Sequence, residues 1–136
     1  MLLDPFWQGV EQFNQRQFYA CHDTLEALWS ESAEPHKSFY QGILQVAVGC
    51  YHLENHNWRG AVILLGEGVR RLREYQPDYE GVDVTDFVQV SQQLLFYLQQ
   101  TEPERVAEVA KQLLEISENS PCRLPYILKI DELSHQ

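Results

Sequence analysis

Positive charge is scarce in this sequence. Ten Lys and Arg stand against 20 Asp and Glu, which leaves a net charge of −10 and a pI near 4.8. So acidic a surface suits a phosphate backbone poorly unless its few cations cluster. The one local group, Arg70, Arg71 and Arg73, is scattered around a helix, so nucleic acid is not an expected partner. Long apolar runs are also missing. The longest, GILQVAVGCYHL, is too short and too interrupted to span a bilayer, and no membrane partner is expected. The opening MLLDPFW has no charged leader ahead of an apolar run, which argues against a secretory signal. Cysteine is rare and odd in number, with no metal-type spacing. Cys21 and Cys50 fall inside helical patterns as small hydrophobes, and Cys122 sits in a Pro-bounded tail. That usage fits a reducing cytoplasm. No cysteine has a His poised to activate it, since His22 points about 100° away from Cys21 on a helix. GEG at 66–68 lies mid-helix with no Lys beside it and makes no phosphate loop.

What is present is core material. The chain of 136 residues is 44% hydrophobic and 12% aromatic, enough for a single packed domain over 1–136. Its periodicity is helical nearly throughout. Asp4 caps a first helix with Pro5 at its first position, running to about Arg16. A second begins at Phe18 and fades near Glu34-Pro35, and a third spans about Lys37 to Glu54. Asn57 caps a fourth with Ala61, Leu65, Gly68, Val69 and Leu72 on one stripe. QPDYEGVD reads as a loop. Two further helices, about Val84 to Gln100 and Pro103 to Ser117, precede an extended tail over 118–136 in which YILKI docks on the bundle. No run alternates enough to demand a sheet.

The expected class is therefore all-α: about six helices packed as antiparallel hairpins in a compact bundle. A faint internal echo at an offset of 40 supports that pairing, matching Gln17 with Asn57, Phe18 with Trp58, Cys21 with Ala61 and Leu25 with Leu65. An aromatic at the helix start, then a small residue, then Leu is the logic of tetratricopeptide-like hairpins.

Candidate chemistry lies on the second and third helices. His22 falls near the middle of the apolar face of the second helix, with Glu26 at its edge and Phe18, Leu25 and Trp29 around them. On the third, Phe39, Ile43, Val46, Cys50 and Leu53 make an apolar stripe, while Gln41, Gln45 and His52 line up opposite with Val48 between them. Gly42, Ala47 and Gly49 let neighbours approach, which marks this helix as central. The polar stripe is expected to meet His22 and Glu26. Asp23, about 100° from His22, is expected to face solvent.

Phe13, Asn14, Phe18, His22, Asp23, Leu25, Glu26 and Trp29, followed by Gln41, Gly42, Gln45, His52, Asn57, Gly60 and Ala61, resemble the pattern of domain-of-unknown-function family 309. The resemblance runs from about Glu11 to Asp86, with GVDV at 81–84 fitting its continuation. It implies a compact helical fold and no established activity. Arg16 and His56 stand where the family often has glycine, which predicts altered turns there.

The cluster His22, Glu26, Gln41, Gln45 and His52 admits three readings. Its members satisfy one another and pin two helices in register. Or they form a metal-free pocket, with Glu26 holding a His for acid–base work. Or His22, Glu26 and His52 bind iron, manganese or zinc, with Gln45 outside. The first reading needs no cofactor. It makes the chain a non-enzymatic scaffold or interaction domain for another protein or a second copy of itself. HLENH, at 52–56, lacks the zincin order, because Glu54 is wrongly placed to act as base. Trp29, Trp58 and Tyr51 read as core anchors.

Overall fold

The computed structural model describes residues 4–115, 120 and 122–130. Among them are six α-helices: α1 (Pro5–Asn14), α2 (Phe18–Glu31), α3 (His36–Glu54), α4 (Trp58–Leu72), α5 (Val84–Gln99) and α6 (Val106–Leu114). From α1 to α5 each helix packs on the next in sequence, and α6 returns against α3. The all-α bundle of hairpins is thus the observed fold. The final helix is shorter than its sequence pattern. A 3-10 turn at Pro103–Arg105 replaces its first residues, and 116–117, assigned to its end, lie outside the described residues.

The caps explain the boundaries. The Asp4 side chain accepts from the Phe6 amide at 2.8 Å, Asn57 from Gly60 at 2.9 Å, and Asp83 from Asp86 at 3.0 Å, each occupying an otherwise free N-terminal donor. At the other end, α1 and α3 close with the same motif. Arg16 and His56 adopt φ of 63° and 61°, and the Gln17 and Asn57 amides donate to the Gln12 and His52 carbonyls, both at 2.8 Å. This is the Schellman closure, here without its usual glycine. The altered turns expected at Arg16 and His56 are therefore absent; both residues take the left-handed conformation at about 1–2 kcal/mol. Because these turns are 40 residues apart, they extend the internal echo from side chains to backbone.

QPDYEGVD also departs from its reading as a loop. It contains a two-stranded antiparallel hairpin, β1 (Asp78–Tyr79) and β2 (Val82–Asp83), turned by Glu80 and Gly81, both at positive φ. Two-residue strands are too short for alternation to show in sequence. Lys129 of the tail makes an isolated antiparallel bridge to Val82, which docks the tail beside the hairpin.

Helix α3 is central, as its composition indicated. All five residues of its apolar stripe are buried, along with Tyr40 and Ala47. Its contact with α4 is the most extensive in the fold, and glycines line it. A Cβ on Gly68 would lie 2.7 Å from Val46 Cγ2 and 2.8 Å from the Gly42 carbonyl oxygen; one on Gly42 would lie 2.7 Å from Leu72 Cγ. Gly66, about half a turn from Gly68 around the same helix, has only Leu95 Cδ2 near, at 3.9 Å.

The contrast sets up a paired prediction. Gly68→Ala must push against backbone and is expected to lose about 1–3 kcal/mol in urea denaturation. Gly66→Ala, in open space on the same helix, should gain roughly 0.5–1 kcal/mol from helix propensity. Equal effects at the two positions would rule out close packing as the cause.

Candidate functional site

The site lies along the seam between α2 and α3. Only Phe18, Cys21 and Leu25 of α2 are buried, because α1 and α3 cover no more of it than that. His22 therefore stands at the rim rather than mid-core, with its side chain 30% exposed, and Glu26 is 56% exposed. Their expected placement on a buried apolar face is corrected accordingly. The open rim also accounts for a polar pair there: neither group is fully desolvated.

His22 lies between two carboxylates. Its Nδ1 is 3.2 Å from Asp23 Oδ1 and its Nε2 is 3.2 Å from Glu26 Oε2. A neutral imidazole carries one N–H, so it can donate to only one of them. At the other, a nitrogen lone pair faces a carboxylate oxygen, a contact that a proton or a bound cation would make favourable. Asp23 is exposed, as expected, yet its short side chain folds back to reach the neighbouring ring.

The third helix does not deliver its whole polar stripe to this point. Gln41 does reach it, lining a cavity of about 190 Å³ with His22, Glu26, Trp29 and Leu44. Within this lining the Trp29 Nε1 is buried without a hydrogen-bond partner, and Lys37 Nζ lies 4.6 Å from the Trp29 ring centroid. His52 shares a different cavity with His22, about 140 Å³ and lined also by Phe18, Tyr19, Val48 and Tyr51. The His52 ring leans toward α4, with Nδ1 3.4 Å from Asn57 Nδ2, over Gly60, where a Cβ would come within 2.8 Å of the ring. His22 is the wall common to both cavities.

Gln45 turns away altogether. Its Nε2 donates to Glu67 Oε2 at 3.0 Å and its Oε1 accepts from Arg71 Nε at 3.1 Å, so this buried amide ties α3 to α4. The expected meeting of Gln45 with His22 and Glu26 does not occur. One turn of helix rotates a side chain by about 40° relative to its i+4 neighbour, enough to carry position 45 across the crest of α3. Among the described residues, the group of three or more His, Cys, Asp or Glu side chains whose ligand atoms all fall within 4.8 Å of one another is His22, Asp23 and Glu26. Asp23 thus occupies the place in that group assigned to His52. Tyr19 and Tyr51, with ring centroids 5.4 Å apart, line the second cavity as well, which helical periodicity alone does not reveal. Their spacing beside His22 and His52 was the available signal.

The thiols stay protonated. Burial pushes Cys21 up to about 12 and Cys122 up to about 11, and it raises Cys50 further, with Glu54 adding to the effect. At neutral pH none carries an appreciable thiolate. Trp58 is an anchor, its Nε1 donating to the Leu98 carbonyl at 2.8 Å. No helix among the described residues is long and apolar enough to cross a membrane.

Comparison with known proteins matches residues 6–64 to the model of a domain of unknown function, DUF309. A 65-residue stretch is 34% identical to the "Uncharacterized protein YpuF" of Bacillus subtilis (strain 168), covering 47% of this chain and 37% of that relative. The chain thus spans little more than a third of that relative's length. Residues 6–64 hold α1, α2, α3 and the start of α4, the elements that build the seam. Over residues 6–64, this chain is thus similar to the DUF309 family of domains of unknown function.

Proposed function

We propose that this chain is a binding module for another protein and that the α2–α3 seam is its recognition surface. The carrying observation is the position of His22. It divides an aromatic cavity from a polar one, with an exposed carboxylate at each of its ring nitrogens. A partner segment that pairs an apolar side chain with a Lys or Arg fits both halves. The apolar group fills the space between Phe18, Tyr19 and Tyr51, and the cation approaches Asp23 and Glu26. The net charge of −10 favours such a partner at long range.

The test is a peptide array of hexapeptides pairing Lys or Arg with Leu, Phe or Trp, followed by titration of the full chain. Binding should require both residue types. Asp23→Asn with Glu26→Gln should weaken it by about tenfold, the loss of roughly 1.4 kcal/mol. Binding that ignores those substitutions, or no binding across the array, refutes the reading.

A second reading rests on the clustering of His22, Asp23 and Glu26 ligand atoms: a divalent cation site for zinc, manganese or iron. Metal content of tag-free protein purified without chelator separates the cases. Metal lost in His22→Ala and kept in His52→Ala assigns it to this trio. Loss in both variants would instead point to the set His22, Glu26 and His52. Metal-free wild-type protein that binds no added Zn²⁺, Mn²⁺ or Fe²⁺ removes this reading.

A structural role for the cluster is tested by stability. With Glu26 more than half exposed, His22→Ala is expected to change unfolding free energy by no more than about 1 kcal/mol. A loss of several kcal/mol would restore the network that pins helices in register.

A further inference from the structure

A second surface lies on α1, and it does not rest on the α2–α3 reading. Residues 124–130 run beside α1 and the β1–β2 hairpin, held first by Asn14. The Asn14 Oδ1 accepts from the Ile127 amide at 2.7 Å, and its Nδ2 donates to the Ile127 carbonyl at 3.0 Å. One side chain reads both backbone groups of a single residue, as a neighbouring strand would. From the hairpin, the Asp83 amide donates to the Leu128 carbonyl at 2.9 Å, and the Gly81 carbonyl accepts from the Ile130 amide at 2.8 Å.

Leu124, Pro125 and Ile127 are buried, whereas Tyr126 and Leu128 are 53% and 41% exposed. Lys129 Nζ lies 5.2 Å from the Trp7 ring centroid. An open cavity of about 660 Å³ flanks the strand, with Asp4 and Glu11 in its wall. Recognition through the main chain, with apolar anchors at 124, 125 and 127, leaves the exposed positions 126 and 128 free to vary. Asn14 lies within residues 6–64, whereas the strand it holds lies outside them.

We propose that this α1 groove is a strand-recognition site that residues 124–130 fill in cis. Its ligand in trans is an extended peptide with a large aliphatic residue opposite Asn14 and a basic residue two positions later. The tail is then a built-in competitor, reducing the apparent affinity for that peptide by the fraction of molecules whose groove is open.

The probe is a fluorescein-labelled peptide with the sequence of residues 123–130, RLPYILKI, followed by anisotropy on the full chain. Ile127→Asp places a charge at the tail's own anchor and should vacate the groove. This variant should bind the peptide at least about tenfold more tightly than the wild-type chain. Adding Asn14→Ala to it should remove at least about tenfold of that affinity. Each protein is first checked for a cooperative melt. A folded Ile127→Asp chain that takes up no peptide, or does so regardless of Asn14, overturns the proposal. An Ile127→Asp chain that no longer folds does the same, because the strand would then be part of the core rather than an occupant.

Discussion

Helices α3 and α4 pack across glycines, and the other helices take their places from that contact. Side chains are missing at Gly42 and Gly68, where even a methyl group would meet backbone or branched side chains within 3 Å. The helices can therefore come together until Val46, Leu65 and Leu72 are almost fully buried between them. That geometry fixes the rotation of α3 about its own axis. Gln45 records the result, with both ends of its amide taken by Glu67 and Arg71 of α4. A buried amide satisfied at donor and acceptor costs little, and it resists any slippage that would leave either end unpaired.

Once α3 is set by α4, its opposite flank is given to α2. Gln41, Val48 and Tyr51 then face the helix that carries His22, and the cavities form where α2 is too sparsely apolar to close the seam. His52 depends on both sides. It reaches the seam from α3, but its ring rests over Gly60 of α4 and beside Asn57, so the glycine at 60 belongs to the site through the space it leaves empty.

The two proposed surfaces share one physical character. Each sets acidic groups beside apolar or aromatic ones, Asp23 and Glu26 near Tyr19 and Tyr51, Asp4 and Glu11 near Trp7. In a chain with twice as many acidic as basic residues, partners bearing apolar anchors and positive charge are the natural complement. The two surfaces differ in what they read. At the seam the contacts come from side chains; along α1 they come chiefly from the partner's backbone.

The helices and the core are legible in the residues themselves. Helical spacing, the caps at Asp4 and Asn57, and the stripes on α3 and α4 are local signals, written within a turn or two of chain. They identified nearly every helix and the central place of α3. The hairpin at 78–83 escaped because two-residue strands have no period to detect. The tertiary structure alone decided which polar residues meet. Positions 41, 45 and 52 of one helix look alike on a wheel, yet they separate among α2, α4 and the seam, because the glycine contact with α4 sets the angle of α3. It also brought Asp23 to His22 in place of His52, and Asn14 to a strand 113 residues away. Such meetings depend on helix rotation and on long-range closure, and neither has a signature within one helix's sequence.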